Sequence, residues 1–234
     1  MDFAPFDKRN YPVLSVEEGY GEWAASYEAT VLELMDVRLL QRLRSVAWSD
    51  VVRAADLACG TGRIGAWLKS KGVRAVDGID ITAPMLAQAR ARSVYGTLKQ
   101  GDLAASGFES GAYDLVAENL AQEHLPSLAP LYNEAARLLR PGGRFVTVGF
   151  HPFFLMQGIP THFDRASGGS ATIRSYVHLM SDHVRSATAA GLTLTEMEEG
   201  LIDDAWVAHK PKWEAWRHRP VSFALVWSKS VSTK

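Results

Sequence analysis

Short apolar segments alternate with longer amphipathic segments in the middle of this chain, and this alternation most constrains the fold. Short apolar runs predict buried strands, whereas apolar residues repeated at the helical period predict helices. The predicted strands are 54–58, 75–79, 97–99, 114–117 and 144–149. The predicted helices between them are 63–71, 83–92 and 128–139. Strands joined by helical crossovers favour an α/β fold, in which helices cover both faces of a mostly parallel sheet.

The two ends of the chain depart from this alternation. Ser15 and Glu18 have the spacing of a capping box, which predicts that a helix begins after Ser15. Apolar residues at the helical period predict two further helices, over 31–46 and 173–190. Two strand-like runs close the chain, at 192–197 and 221–227. The polar, aromatic segment between these runs is long enough to predict a functional loop.

Composition narrows the class of protein. The 234 residues suit one globular domain, and the net charge of −1 gives no general attraction for nucleic acid or an anionic membrane. No run approaches the roughly 18 apolar residues of a membrane span. The first ten residues lack a signal-peptide pattern, so we expect a cytoplasmic location. The single cysteine, Cys59, supplies neither an internal disulfide nor a thiolate metal site, and we expect no metal.

A glycine-rich turn follows the first predicted strand. Residues 56–62 read Asp-Leu-Ala-Cys-Gly-Thr-Gly, and Gly60, Gly62 and Gly65 match the dinucleotide fingerprint. Asp80 comes 20 residues after Gly60, at the end of the next strand. A carboxylate at that place accepts hydrogen bonds from ribose hydroxyls, and glycines let a ligand approach the backbone. A nicotinamide cofactor and another adenosyl ligand therefore both fit these residues.

Four further features separate these ligands. The charge of Asp56, ahead of the turn, repels a pyrophosphate and suits a ligand with a free ammonium group. Asp102 follows the third strand, where its carboxylate can accept a hydrogen bond from an adenine amino group. The third feature is a predicted strand, Tyr113-Asp114-Leu115-Val116, that leads to the residues Glu118-Asn119-Leu120. Leu138-Leu139-Arg140-Pro141-Gly142-Gly143 then predicts the end of a helix and a turn before the fifth strand.

These motifs, in this order, resemble those of the class I S-adenosylmethionine-dependent methyltransferases, particularly the small-molecule, "type 11"-like branch, over about residues 20–150. The resemblance implies a Rossmann-like, seven-stranded, mostly parallel sheet with a C-terminal antiparallel hairpin. It also implies methyl transfer from S-adenosyl-L-methionine to an oxygen or nitrogen of a small metabolite, leaving S-adenosyl-L-homocysteine. Ala58 departs from the family pattern, which has glycine there, but its side chain is small.

The resemblance places the cofactor contacts at the strand ends. The turn would wrap the methionine part, Asp80 would hold the ribose with Ile81 beside it, and Asp102 would frame the adenine. The expected cofactor-binding residues are Tyr27, Asp56, Ala58, Cys59, Gly60, Thr61, Gly62, Asp80, Ile81, Met85, Gly101, Asp102, Leu103, Glu118, Asn119 and Leu120.

We expect a single methyltransferase domain in three parts. Residues 1–50 would form a helical lid, with Trp23 and Tyr27 over the cofactor. Residues 51–150 would form the cofactor-binding core, and residues 151–234 would add an acceptor-side insertion and the final strand hairpin.

Methyl transfer from a sulfonium needs little activation by the protein. Its main tasks are to align the acceptor and to exclude water, and a base is required only where the acceptor must lose a proton. His151, His124 and His178 are the candidates for this base. An apolar acceptor pocket is expected from the residues Phe153, Phe154, Met156, Phe163 and Tyr176.

Two other functions fit parts of the sequence. The Gly60-x-Gly62-x-x-Gly65 turn also suits an NAD(P)-dependent oxidoreductase, and the same pocket would suit a non-catalytic adenosyl-ligand-binding protein. We expect a small-molecule acceptor rather than nucleic acid, because residues 118–121 lack the Asp/Asn-Pro-Pro-aromatic turn of enzymes that methylate base amino groups. The sequence determines neither the acceptor nor the oligomeric state.

Overall fold

The computed structural model describes residues 1–231. Its strands are β1 (Val13–Leu14), β2 (Arg53–Leu57), β3 (Ala75–Asp80), β4 (Thr97–Gln100), β5 (Tyr113–Asn119), β6 (Leu139–Phe150), β7 (His162–Asp164), β8 (Ser170–Ile173), β9 (Leu192–Leu201) and β10 (Pro220–Lys229). Its α-helices are α1 (Val16–Trp23), α2 (Tyr27–Thr30), α3 (Val37–Leu40), α4 (Arg63–Ser70), α5 (Ala83–Ala91), α6 (Ala129–Leu138), α7 (Pro152–Met156), α8 (Met180–Ala189) and α9 (Asp204–His209). The last three residues of the predicted acceptor-side part, 232–234, lie outside the described residues.

Seven of the described strands form the central sheet, in the order β4-β3-β2-β5-β6-β10-β9. Strands β2 to β6 run parallel, and β10 runs antiparallel between β6 and β9. The sheet grows outward from β2 in both directions, so the crossovers diverge on either side of the β2–β5 pair. Divergent crossovers leave a crevice at the carboxyl ends of the strands. The predicted mostly parallel sheet and its antiparallel C-terminal hairpin are confirmed.

Apolar clusters bury both faces of this sheet. On one face, Tyr132 of α6 packs edge-to-face against Phe145 and Trp227, with ring centroids 5.3 and 5.6 Å apart. On the other face, Leu40 of α3 and Leu68 of α4 belong to a cluster that includes strand residues of β2, β5 and β10. Burial on both faces explains why the parallel strands read as continuous apolar runs.

A small second sheet joins the N-terminus to the region after β6. Strand β8 lies between β1 and β7, and Leu14 of β1 pairs with Ile173 of β8. Helix α1 packs on β8, where a Cβ atom on Gly19 would lie 2.6 Å from the Ile173 side chain. The predicted capping box of α1 is confirmed, because Glu18 N donates to Ser15 Oγ and Ser15 N donates to the Glu18 carboxylate.

The helix predicted over 173–190 is wrong in its first half. Ile173 ends β8, and α8 begins only at Met180. The intervening backbone bonds to distant segments instead, since Tyr176 N donates to the carbonyl of Glu123. The apolar residues of this stretch therefore fill separate clusters, and their helical spacing is coincidental.

The helix predicted over 31–46 is also mostly wrong, because only α3 is helical there. Met35 packs with the cluster around Trp206, whereas Leu40 packs under the central sheet. A straight amphipathic helix presents one apolar face, so a segment whose side chains pack in two separate clusters has to bend.

Several other boundaries also differ from the prediction. Strand β6 begins at Leu139 and so includes the expected Pro-Gly-Gly turn, with a register shift against β5. The expected long loop between the last two strands instead contains α9 and the 3-10 helix Pro211–Trp216, and both strands are longer than predicted. Across residues 1–231, none of the helices has the length and apolar character needed to cross a bilayer.

Candidate functional site

The turn between β2 and α4 adopts left-handed backbone conformations. Ala58 and Gly60 have φ angles of +55° and +53°. A residue with a side chain pays roughly 1–2 kcal/mol for this conformation, which gives a physical reason to prefer glycine at position 58. Apart from Gly60 itself and its chain neighbours, no atom of residues 1–231 lies within 4 Å of the place where a Cβ atom on Gly60 would stand, so the backbone there is open to a ligand.

Gly62 and Gly65 make room for a side chain of the protein. A Cβ atom on Gly62 would lie 2.9 Å from the Tyr95 ring, and one on Gly65 would overlap the Tyr95 hydroxyl group. That hydroxyl donates a hydrogen bond to Asp56 at 2.7 Å. Two of the three fingerprint glycines therefore leave the space that the Tyr95 side chain occupies.

Asp80 ties the glycine turn to the end of β3. One carboxylate oxygen accepts the backbone N–H of Gly60 at 2.8 Å, and the other accepts that of Thr82 at 2.8 Å. Burial raises the pKa of Asp80, and the two backbone hydrogen bonds oppose this shift. The side chain is held in one position at the edge of a cavity.

A cavity opens at the carboxyl ends of β2, β3, β4 and β5, with about 850 Å³ of empty space that includes open solvent, and we call it the strand-end cavity. Eleven of the predicted cofactor-binding residues line it: Tyr27, Ala58, Gly60, Asp80, Ile81, Met85, Gly101, Asp102, Leu103, Asn119 and Leu120. Asp102 also accepts the backbone N–H of Ala104 at 2.8 Å, so one of its oxygens serves the local turn.

An adjoining side chamber, with about 320 Å³ of empty space that includes open solvent, shares Tyr27, Ala58, Gly60 and Asn119 with the strand-end cavity. The other predicted residues on its walls are Asp56, Cys59 and Thr61. Burial raises the pKa of Asp56 to about 7, partly offset by the hydrogen bond from Tyr95. Burial also holds the pKa of Cys59 well above its usual value, so this thiol is not activated.

Arg63 lies on the wall of the same side chamber and was not predicted. It is the first residue of α4 and pairs with the buried carboxylate of Asp36, while its Nε–H has no partner among the described residues. The chamber therefore holds a carboxyl group, that of Asp56, and a guanidinium group. An arginine directly after the glycine turn was the available sequence signal.

The end of β5 contains a side chain with unpaired amide atoms among the described residues and a side chain that supports the following turn. Both amide atoms of Asn119 lack partners in the described chain, and this residue lines the strand-end cavity and the side chamber. Glu118 lies beneath the surface, where its carboxylate accepts the N–H groups of Ala121 and Gln122 and the Thr147 hydroxyl. Of the expected cofactor-binding residues, Gly62 and Glu118 line neither space.

His124 lines the strand-end cavity, and both of its ring nitrogens have partners. Nδ1 lies 2.7 Å from the carbonyl oxygen of Arg174 and therefore carries the proton, which leaves Nε2 to accept from the Tyr20 hydroxyl at 2.9 Å. Burial lowers the pKa of His124 to about 4. At neutral pH the ring is uncharged and holds Tyr20 in place.

His151 and His178 lie outside the strand-end cavity. His151 caps α7, where Nδ1 accepts the N–H of Phe153 at 3.1 Å and Nε2 lies 3.0 Å from Glu199. His178 Nε2 donates to the carbonyl of Leu125 at 2.8 Å. These contacts fix local structure.

A second cavity, with about 820 Å³ of empty space that includes open solvent, meets the strand-end cavity at Tyr20, Tyr27 and Leu120, and we call it the aromatic cavity. Of the residues expected to form an apolar acceptor pocket, Phe154 lines it. Phe163 stacks on Trp23 with ring centroids 5.4 Å apart. Other aromatic walls come from Trp23, which was expected to lie over the cofactor, and from Phe150, Trp206 and Trp213.

Comparison with known proteins finds sequence similarity mainly in the middle of the chain. The family model described as "Methyltransferase domain" matches residues 55–147. Malonyl-[acyl-carrier protein] O-methyltransferase of Enterobacter lignolyticus is 37% identical over 91 residues, which cover 39% of this chain and 36% of that protein. Demethylmenaquinone methyltransferase of Thermus thermophilus is 36% identical over 105 residues, which cover 43% of this chain and 48% of that protein. The chain therefore matches about half or less of the length of these relatives.

Among solved structures, an S-adenosylmethionine-dependent methyltransferase from Mesorhizobium loti is similar over most of the fold. The TM-score is 0.67 at 22% sequence identity, and the match covers 84% of this chain and 98% of that chain. At this identity the likeness establishes the fold.

Proposed function

We propose that this chain, whose residues 55–147 match the family model described as "Methyltransferase domain", transfers a methyl group from S-adenosylmethionine to an oxygen or nitrogen of a small metabolite. The observation that carries the proposal is the charge pattern of the two connected spaces at the strand ends. Asp56 and Arg63 share the side chamber, and Asp80 and Asp102 border the strand-end cavity.

This charge pattern discriminates between the two cofactors that the glycine turn accommodates. S-adenosylmethionine carries a sulfonium, an ammonium and a single carboxylate, whereas a nicotinamide dinucleotide carries a doubly charged pyrophosphate. Acidic walls attract the first ligand and repel the second. Gly65, the third fingerprint glycine, packs against Tyr95, and the open backbone is at Gly60.

The residues present fit the proposed ligand in detail. Asp56 would hold the ammonium group and Arg63 the carboxylate of the methionine part, and the free Nε–H of Arg63 supports this role. Asp80 would accept the ribose hydroxyls. Asn119 brings an unpaired amide to the junction of the two spaces. When bound there, S-adenosylmethionine supplies a methyl group already activated by its sulfonium.

The surrounding residues would orient the acceptor and exclude water. An acceptor in the aromatic cavity would meet the cofactor between Tyr20, Tyr27 and Leu120, which border both cavities. We assign His124 the role of orienting Tyr20, and we assign structural roles to His151 and His178. We retain the division into a lid (1–50), a core (51–150) and an acceptor-side part (151–234) of one domain.

Incubation with methyl-labelled S-adenosylmethionine and a fractionated metabolite extract tests this proposal. We expect label in a small product that mass spectrometry identifies as methylated on oxygen or nitrogen. The Asp80→Ala variant is the matched control and should give little product. If no fraction accepts label although the chain binds S-adenosylhomocysteine, the non-catalytic ligand-binding alternative is correct.

A further inference from the structure

Glu123 is a buried carboxyl group without a hydrogen-bond partner among residues 1–231. It lies in the 3-10 helix Gln122–His124, is 1% exposed and lines the aromatic cavity. Neither of its side-chain oxygens accepts a hydrogen bond from a described residue. The closest basic atom, His124 Nε2, is 3.9 Å from Oε1 and is occupied by Tyr20. Buried carboxyl groups are normally hydrogen-bonded or paired, so this group is free to bind a ligand.

The walls around Glu123 are mostly aromatic or aliphatic. These apolar wall residues include Trp23, Val31, Leu32, Met35, Phe150, Phe154, Ile159, Trp206 and Trp213. Two other polar atoms on the walls, Thr161 Oγ1 and Trp213 Nε1, also lack partners among residues 1–231. An apolar cavity with a few unpaired polar groups is typical of a small-molecule site.

The position of the cavity relates Glu123 to methyl transfer. Tyr20, Tyr27 and Leu120 separate the aromatic cavity from the space assigned to the methyl donor. This inference rests on the proposed function, because it identifies the acceptor side of the same site.

We propose that Glu123 is the catalytic base of the acceptor site, and that the acceptor is an apolar, ring-containing molecule with an acidic hydroxyl group, as in a phenol. The aromatic walls suit flat rings, and the unpaired carboxyl group requires a hydrogen-bond donor. An acceptor that carries a carboxylate at this place would be repelled by the ionised form of Glu123.

The step balances in protons and electrons. The acceptor hydroxyl gives its proton to a Glu123 oxygen, and the acceptor oxygen forms a bond to the methyl carbon. The carbon–sulfur bond of the sulfonium breaks, and its electron pair stays on sulfur as a neutral thioether. Glu123 then releases the proton to solvent, and the acceptor leaves as a methyl ether.

The environment of Glu123 suits this role. Burial raises its pKa to about 8, helped by the nearby charge of Glu118. A phenol ionises near pH 10, so proton transfer to such a carboxylate is only modestly unfavourable, and a base works best near the ambient pH. The titratable and charged groups around Glu123 are Glu118, His124, Tyr20 and Tyr27, with His162 and Lys210 on the same cavity.

Binding of 2-naphthol and naphthalene to the chain saturated with S-adenosylhomocysteine tests the site. At about pH 9, where Glu123 is ionised, we expect Glu123→Gln to weaken 2-naphthol about tenfold, because a charge-assisted hydrogen bond becomes a neutral one, and to leave naphthalene unchanged. Glu33→Gln, at an exposed position, should alter neither affinity. Unchanged affinity for 2-naphthol, or equal losses for both probes, would overturn the proposal.

Turnover with labelled S-adenosylmethionine tests the base. From a panel of one- and two-ring phenols, alkyl amines and carboxylic acids, we expect methyl ethers of phenols. kcat/KM should rise with pH to a plateau above about pH 8, and Glu123→Gln should lower kcat about 100-fold or more and remove this rise. Transfer to amines or acids alone, no transfer to any phenol, or an unchanged kcat in Glu123→Gln would overturn the proposal.

Titration of wild-type chain with S-adenosylhomocysteine distinguishes failure of the proposed function from failure of the Glu123 assignment alone. If wild-type chain does not bind S-adenosylhomocysteine, the proposed function fails. If it binds this ligand and Glu123→Gln leaves 2-naphthol binding and turnover unchanged, only the assignment of Glu123 fails.

Discussion

At the residue scale, Asp80 combines a structural and a binding role. Its two oxygens hold the backbone of Gly60 and Thr82, and the same carboxylate borders the strand-end cavity. A carboxylate that is already fixed by backbone donors loses little freedom when it accepts further hydrogen bonds. This rigidity favours ligand binding, because the side chain need not be ordered again.

Replacement of Asp80 should therefore weaken cofactor binding strongly. We expect Asp80→Ala to reduce the affinity for S-adenosylhomocysteine at least about tenfold, since charge-assisted hydrogen bonds contribute about 1.5–3 kcal/mol. Isothermal titration calorimetry measures this change. Asp50→Ala, at an exposed position, is the matched control. Equal affinities of wild type and Asp80→Ala would show that the pocket lies elsewhere.

The sequence could predict Asp80 and not Glu123, and the reason is physical. Asp80 follows an apolar strand and a glycine turn, so the position of its carboxylate is determined by local order along the chain. Burial of Glu123 depends on walls contributed by distant segments, including Trp23, Phe154 and Trp213. A charged residue is normally exposed, and nothing near Glu123 in the sequence indicates otherwise.

At the element scale, α2 fastens the N-terminal segment to the cofactor turn. Glu28 accepts a hydrogen bond from the Thr61 hydroxyl and pairs with Arg92 at 2.9 Å. Arg92 in turn donates to the carbonyl of Thr61 at 2.8 Å. These three residues hold α2 against the turn that is proposed to bind the methionine part.

Loss of the Glu28 contacts with Thr61 and Arg92 should weaken ligand binding without unfolding the chain. We expect Glu28→Ala to increase the dissociation rate of S-adenosylhomocysteine severalfold, because partly exposed ion pairs contribute up to about 1 kcal/mol. Stopped-flow fluorescence measures the rate, with Glu17→Ala of the exposed face of α1 as the control. An unchanged dissociation rate would mean that α2 does not cover the bound ligand.

Elements within the parallel sheet could be predicted, whereas those outside it could not. Strands such as β2 and β5 are buried on both faces, so their sequences alone specify them. The segments 31–46 and 173–190 contribute to several apolar clusters. Their apolar residues have helical spacing, but only part of each segment is helical. Their backbone conformation depends on partners that a local pattern does not reveal.

At the scale of the whole molecule, buried ionisable groups connect stability to pH. Burial raises the pKa of Glu118 to about 7 and that of Glu123 to about 8. Burial lowers the pKa of His124 to about 4 and that of His183 to about 3. Between the ordinary and the shifted pKa values, the two acids are protonated in the folded state and ionised in the unfolded chain. Over the corresponding range for the histidines, the two rings are neutral in the folded state and protonated in the unfolded chain.

The two sets of groups should therefore act in different pH ranges. The histidine contribution rises as pH increases up to about 6.5, where the unfolded chain loses its protons. The acids carry more protons in the folded state than in the unfolded one, so their contribution falls as pH rises from about 4 to 8. Above pH 6.5, of these groups only the acids change the free energy of unfolding. Each acid lowers it by up to about 1.4 kcal/mol per pH unit.

We accordingly expect the melting temperature of the ligand-free chain to fall between about pH 6.5 and 8. Glu123→Gln should make this fall smaller, because the variant has no carboxyl group to ionise in the aromatic cavity. Thermal unfolding followed by circular dichroism at a series of pH values checks both statements. A melting temperature that rises over this range, or an identical pH dependence in Glu123→Gln, would contradict them.

The central claim is that the acidic cavity at the strand ends binds S-adenosylmethionine and not a dinucleotide. Calorimetric titration of wild-type chain with S-adenosylhomocysteine, and separately with NADH, tests it most directly. We predict saturable binding of S-adenosylhomocysteine at one site per chain and no saturable binding of NADH. Tight binding of NADH without binding of S-adenosylhomocysteine would contradict the account.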